Sequence, residues 1–589
     1  MASIFLRRVM LATLVVSPVS LASAQVVLAP TTPEVGSSNP VTAQPLVPRP
    51  TTKPCTVQLF TNLEFANYDN KTFSYQPPAG CPGPWAKVVF TSDFTVTAGT
   101  QYDRTGAFYL GGANIYYGTT SEPSSDYSPS WHVERDVTDL SYIFKSEQTG
   151  TAVLGNYVGV YDGTDYDGII YANAELEFYP ANPVNPAPAV PDLLVPVTGS
   201  GGTAGTLNTT TDTISQTVSL PENVESVYLD VIAQPQSDDE FYYFNVPTAD
   251  EAELASDGGT AFREVEVWID GKPAGAAPVY PFLNTGGIDP NLWIPIVGNQ
   301  THEFKPFRVN LTPFAGLLGD GSSHTVAVSV FNANSYFLAT ANLLVYEDHG
   351  SKKVTGGVLE NTLTEPSPTV TQNLALNSST GEYTGTVSDD SSRSYVIKGY
   401  VNTSHGRVET TLQQTIGFTN TQTFDVNPST YTPDIQNAVQ NATLNSVVTT
   451  TSGRNQSTSE QHFAYPITVD FAYGVPAAGG VYENVSVDQI YKLTSKIDGG
   501  PEAKTYEETK SVDDQLEDAE GNYTDTSNSS QTYRTNAYPG GCYDETLTAA
   551  SNVLTDVTDN CKNQNRHSGS SSGYHSPKHF WRHPFQAHF

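Results

Sequence analysis

Basic residues are what this chain lacks most. Only 28 of 589 residues are Lys or Arg against 62 Asp or Glu, giving a formal net charge of −34 at pH 7. A surface so poor in cations cannot neutralise phosphates, which excludes nucleic acid as a partner. Charged residues of both signs make up only 15% of the chain, so the acidity reflects scarce bases rather than abundant acids. It suits work at mildly acidic pH, where carboxylate repulsion is partly relieved. Long helical periodicity is also missing. So are the G-x-S-x-G, H-E-x-x-H and P-loop signatures, which leaves serine-hydrolase, zincin and nucleotide chemistry without support. Beyond the N-terminus no run is long and apolar enough to span a bilayer. Cysteine is sparse, four in all, with no C-x-x-C spacing of the zinc type. No metal and no cofactor are expected.

What is present begins with "MASIFLRR", two arginines ahead of the apolar "VMLATLVVSPVSLA" and the small-residue site Ala22-Ser23-Ala24. Residues 1–24 read as a secretory signal, so the mature protein is expected outside the cell with no membrane span. Disulfides persist there. Cys55, Cys81, Cys542 and Cys561 allow three connectivities. Local pairing, Cys55 with Cys81 and Cys542 with Cys561, is preferred because each bond then closes a modest loop. N-x-S/T sequons occur at Asn70, Asn208, Asn299, Asn310, Asn377, Asn402, Asn441, Asn455, Asn484, Asn522 and Asn528. Their density fits a secreted glycoprotein.

The organisation is read from composition. Residues 25–54 are rich in Pro, Thr and Val, as a linker is, and Pro-rich 181–192 is a second linker. Between them, 55–180 carries short alternating runs such as "WAKVVFTSDFTVTA" and "ANAELEFY", ending at Gly, Pro, Asp or Ser. This is the pattern of an antiparallel sandwich. Residues 193–347 repeat it, with "DGKP" as a hairpin turn. From 348 to 561 Thr, Ser and Asn increase and a third β-rich domain is expected. The His-rich 562–589 reads as a disordered tail.

Chemistry must then come from carboxylates in aromatic settings. Three stretches stand out. In "QYDRTGAFYLGG", period two puts Asp103, Thr105, Ala107 and Tyr109 on one strand face, with Arg104 on the other. In "WHVERDVTDL", Glu134 shares a face with His132 and Asp136. In "QSDDEFYYFN", Asp238, Asp239 and Glu240 abut four aromatic residues. Each also fits a solvated strand end or loop.

Taken together these stretches resemble the peptide-N-glycosidase A family, amidases that remove N-linked glycans from glycopeptides. The resemblance covers residues 55–347 and is carried by "YQPPAGCPGPWAKVVF", "QYDRTGAFYLGG", "TSEPSSDYSPSWHVERDVTDL", "SDDEFYYFN", "AFREVEVWIDGKPAGAAPVYPF" and "TGGIDPNLWIPI". A more distant likeness is to bacterial peptide-N-glycosidase F. It implies an all-β fold of two packed jelly rolls, here followed by the third β-rich domain. It implies N-glycosylated peptides and proteins as substrates. It makes Asp103 the principal catalytic carboxylate, acting either as base on water or as proton carrier to the amine. Glu240, with Asp239 as the alternative, would orient water or sugar, and Glu134 would hold the peptide side. Trp131, Tyr242 and Trp293 would stack on the glycan core, and Arg104 and Arg263 would balance the carboxylates. A two-carboxylate glycoside hydrolase and a non-catalytic glycan-binding surface protein are the rival classes.

Overall fold

Runs that alternate β-branched or aromatic residues with polar ones form strands, each burying one face. The computed structural model describes residues 25–476, 479–539 and 541–561. The expected signal segment and His-rich tail lie outside these residues.

The first sandwich packs two four-stranded antiparallel sheets. One runs Cys55–Phe65, Ile170–Pro180, Trp85–Val96, Ser130–Asp136. The other runs Lys71–Tyr75, Gln148–Leu154, Thr105–Leu110, Ala113–Thr119. With the small hairpin Gly159–Tyr161/Thr164–Tyr166 set aside, the first, eighth, third and sixth strands face the second, seventh, fourth and fifth. That is jelly-roll topology. The second sandwich repeats it. Leu193–Val197, Tyr336–Glu347, Val224–Gln236 and Phe307–Asn310 face Ile214–Val218, His324–Phe331, Glu264–Ile269 and Lys272–Pro278. Asp270 and Gly271 join its tightest hairpin with φ of 51° and 70°, as a primed turn requires. No helix or strand lies between Pro180 and Leu193.

The third region is a single eleven-stranded sheet, a meander from Glu382–Thr403 onward. Its strands reach 22 residues because period-two alternation is sustained, as in Gly406–Val426. The inner face is unusually polar. Asn420, Gln422, Gln440, Gln489 and Gln531 are all buried, and their amides donate to the second sandwich. Asn420 Nδ2 reaches Tyr243 O at 2.9 Å, Gln422 Nε2 reaches Asn245 O at 3.0 Å, and Gln489 Nε2 reaches Pro281 O at 2.7 Å. These side chains satisfy loop carbonyls that would otherwise be buried without partners. One apolar cluster runs through all three regions, from Tyr117 through Val267 and Leu283 to Leu412, Phe418 and Val469.

Residues 25–54 are not a free linker. Ala43 N and Gln44 Nε2 donate to Gln531 and Glu507 of the third sheet. Val47 N and Arg49 reach Glu134 of the first sandwich. Low sequence complexity hid a packed strap. Cys55 pairs with Cys81 and Cys542 with Cys561. Of the sequon asparagines, eight are exposed and Asn441 is partly covered. Asn310 and Asn299 are buried, and Asn299 Nδ2 donates to Gln489 O and Glu507 O. The expectation of a glycan on those two is corrected, because a sequon pattern carries no information about burial.

Buried carboxyls give this fold a pH dependence. Loss of solvation pushes Glu264 up to about 8 and Glu266 and Glu507 up to about 7, against the neighbouring cations Arg393 and Lys305. Folded values above the unfolded one mean that the folded chain binds these protons more tightly. Their contribution is complete below the unfolded value, about 4.3, and is lost as pH rises through 7 to 8. The melting temperature measured by calorimetry should fall between pH 5 and pH 8; a rise across that range would contradict this.

Candidate active site

Asp103 does not lie within a strand, as the alternation predicts, but in the loop just before Thr105–Leu110. The face assignment holds beyond it. Ala107 and Tyr109 turn toward the second sandwich, and Phe108 and Leu110 toward the core of the first. Asp103 therefore emerges at the seam between the two jelly rolls. Gln234, wholly buried there, hydrogen-bonds Thr105, Tyr117 and Asn284.

Three carboxyls converge at this point. The Asp103 N–H donates to Glu122 Oε1 at 2.9 Å, and the two side chains are hydrogen-bonded to each other. The Gly286 N–H lies by the Asp103 carboxyl and favours its charge. A Cβ on Gly286 would stand 2.2 Å from Glu122 Oε1 and 2.5 Å from Asp103 Oδ1, so only glycine permits this approach. Glu240 lies across the same loop. Its Oε1 accepts from Asn284 Nδ2 at 3.0 Å and would be 3.4 Å from a Cβ on Gly287. Asp103, Glu122 and Glu240 all retain partial exposure, so water and substrate can reach them.

The loop is held from three sides. Thr285 Oγ1 donates to Thr120 O at 2.5 Å, Trp293 Nε1 donates to Gly287 O at 2.8 Å, and Ser511 Oγ donates to Leu292 O. Ile288 sits at φ 68° and Ser237, ahead of Glu240, at φ 55°. A β-branched residue there is strained, and such strain concentrates at functional sites.

Burial raises all three acids. Loss of solvation, reinforced by the charge of Asp103, pushes Glu122 up to about 8 and Glu240 up to about 7. Asp103 is raised by the same desolvation, but Glu122, Arg104 and the Gly286 N–H oppose the rise. Asp103 is thus the group best supported as a carboxylate, and Glu122 the one that keeps its proton. Among the described residues no group of three or more His, Cys, Asp or Glu is placed to hold a metal ion.

Several expected site residues stand elsewhere. Glu134 belongs to the other sheet of the first sandwich, in Ser130–Asp136. Its carboxylate takes both Arg49 Nη atoms at 2.6 and 2.7 Å and the Val47 N–H at 2.8 Å. Burial opposes its ionisation, but His132 and Arg49 hold it below the usual range. It is a structural anion. Asp239, the alternative to Glu240, forms a fully buried ion pair with Arg263 at 2.7 Å and caps the N–H groups of Asn334 and Ser335. Trp131 is stacked between Phe94 and His302 in the core. Tyr242 is buried under Gln440 and Arg263. Trp293 braces the glycine loop rather than offering a free face. Arg104 does adjoin the carboxyls, and its Nη2 donates to Gln101 Oε1 at 2.6 Å. Glu122 and Gly286 were missed. Both lie in stretches that carry the family resemblance, "TSEPSSDY" and "TGGIDP", but only the fold shows that they meet Asp103.

Carboxyls that share a proton at the seam of two jelly rolls can both accept and donate one, which is what hydrolysis by proton transfer requires. Residues 44–364, more than half of the chain, match the family described as peptide N-acetyl-beta-D-glucosaminyl asparaginase amidase A. The chain belongs to that family of amidases. It is 30% identical over 393 residues to peptide-N4-(N-acetyl-beta-glucosaminyl)asparagine amidase A of Prunus dulcis, covering 63% of this chain and 67% of that one. Among solved structures, PNGase F of Flavobacterium meningosepticum aligns with a TM-score of 0.33 at 12% identity, over 50% of this chain and 96% of its own. PNGF-II aligns with a TM-score of 0.33 at 14% identity, over 50% and 66%.

Substitutions separate the two groups of acids. Asp103→Asn and Glu122→Gln should each lower turnover by about a hundredfold or more with the melting temperature little changed. Asp239→Asn should instead cost about 3–5 kcal/mol of stability, because it leaves Arg263 buried without its counter-charge. Turnover and thermal unfolding of the three variants decide this; normal turnover in folded Glu122→Gln would remove it from the site.

Proposed function

We propose that this protein is a secreted amidase that hydrolyses the bond between the innermost N-acetylglucosamine of an N-glycan and the asparagine side chain. The observation that carries this reading is the Asp103–Glu122–Glu240 cluster closed over by Gly286. An amide needs two things to hydrolyse without a covalent nucleophile: a water made more nucleophilic and a proton for the departing nitrogen. Two carboxyls whose environments drive their proton affinities apart supply both. Asp103, whose charge Arg104 and the Gly286 N–H favour against the cost of burial, accepts a proton as water attacks the amide carbon. The C–N bond breaks, Glu122 protonates the leaving nitrogen, and the water oxygen stays on what becomes an aspartate. The glycan departs as its glycosylamine. Glu240, fixed by Asn284, orients water or the first sugar.

The peptide has room next to Phe241, the residue after Glu240. A cavity of about 510 Å³, where the second sandwich meets the third sheet, is lined by Phe241, Phe244, Ile288, Tyr431 and Phe471 together with Asn245, Glu251, Asp257 and Gln436. Concavities at domain seams that combine apolar walls with a few polar groups are common binding sites. Secretion is supported by the two disulfides and the exposed sequons. No helix among the described residues is long and apolar enough to cross a membrane.

The test is hydrolysis of an N-glycopeptide in heavy-oxygen water, read by peptide mass. The expected product is the peptide with Asp in place of Asn, carrying one heavy oxygen. A peptide retaining one N-acetylglucosamine on unchanged Asn would instead identify a glycoside hydrolase.

A further inference from the structure

Tyrosines crowd the surface next to Asp103, and the amidase chemistry does not use them. Tyr102, the residue before it, is 53% exposed. Its ring lies 5.5 Å from that of Tyr166, which lies 6.4 Å from Tyr157, which lies 6.1 Å from Tyr68. Tyr68 is 68% exposed, and Tyr161, at the tip of the Gly159–Tyr161/Thr164–Tyr166 hairpin, is 70% exposed. Exposed aromatic side chains in contact with one another are costly in water unless they meet a partner.

This surface is built onto the site. Buried Gln101 donates through Nε2 to Tyr157 O at 2.7 Å and to Gly168 O at 3.1 Å, while its Oε1 accepts from Tyr102 N and Arg104 Nη2. One amide thus fixes the hairpin's base relative to the Tyr102-Asp103-Arg104 segment. Gly155 lets the Tyr68 ring lie close against the backbone, since a Cβ there would come 2.9 Å from the ring and the ring would have to shift.

We propose that this tyrosine surface binds the neutral outer pyranose rings of the glycan, a proposal that rests on the amidase reading above. Pyranoses present apolar C–H faces that suit aromatic rings and hydroxyls that suit carboxylates. Tyrosine supplies rigid amphipathic contact at low entropic cost. The exposed carboxylates of Asp69, Asp162, Asp165 and Asp167 lie along the same segments. They accept sugar hydroxyls and repel sialylated arms. The surface continues from Asp103, whereas the cavity begins at Phe241, the residue after Glu240, so the two halves of a glycopeptide have separate places to lie.

The experiment uses the full chain and its Tyr68→Ala/Tyr161→Ala variant, with unfolding temperature confirming the fold. Substrates are one peptide carrying either a two-sugar core or an extended neutral high-mannose glycan. The variant should lose about tenfold in kcat/KM on the extended glycan, chiefly through KM, and stay within about twofold on the core. Sialylated glycans should be cleaved more slowly than neutral ones by the unaltered protein. Equal kinetics of variant and parent on both glycans would overturn the proposal while leaving the amidase intact. A loss that tracks peptide length rather than glycan length would also overturn it. If the parent cleaves no glycopeptide, the amidase reading fails; titration of free high-mannose oligosaccharide, followed by tyrosine NMR shifts, then decides the surface separately.

Discussion

Three carboxyl groups gathered where water is scarce cannot all be ionised, and the rest of this structure follows from that constraint. Like charges at hydrogen-bond distance repel, and desolvation adds to the penalty. Asp103 and Glu122 resolve the conflict by sharing a hydrogen bond. The asymmetry around them decides which keeps the proton. Arg104 and the Gly286 N–H favour charge on Asp103, while Glu122 is raised to about 8. Two groups of the same residue class are thus driven toward opposite preferences for the proton.

Holding that arrangement demands precision from loops, which are the least rigid parts of a β fold. Here the stiffness comes from outside the sandwiches. The third sheet sends Asn420 and Gln422 to the loop after Glu240, and Gln489 and Ser511 to the loop around Gly286. Polar side chains on a buried sheet face are expensive unless every one is satisfied. In this sheet most of that requirement is met by loop carbonyls of the second sandwich. The strap 41–49 completes the frame, joining Gln531 and Glu507 to Glu134.

Much of this was legible in the sequence. Period-two alternation marked both sandwiches and the third sheet, and "QYDRTGAFYLGG" put Asp103 at a strand mouth on the face of Ala107 and Tyr109, which the fold turns toward the second sandwich. Local pattern could not tell Glu134 from Glu122. On its strand Glu134 alternates as a site residue should, and what disqualifies it is Arg49, in a segment whose Pro and Thr content reads as linker. Glu122 is a lone acid in a Ser- and Pro-rich turn, where a solvated surface carboxylate is the ordinary reading. Its meaning comes from Asp103, 19 residues away, and from a glycine in another domain. Trp131, Tyr242 and Trp293 show the same limit: composition flags large aromatics, while only packing tells core from binding face.

The proton held between Asp103 and Glu122 is the centre of the account, and the pH dependence of kcat/KM on a glycopeptide reads it directly. Raised carboxyl values keep the proton in place below about 7 to 8 and release it above. The rate should therefore rise with pH as Asp103 ionises and then descend through an apparent pKa of about 7 to 8, with that descending limb displaced in the Glu122→Gln protein. A rate that stays flat to pH 9, or a descending limb unchanged by Glu122→Gln, would contradict it.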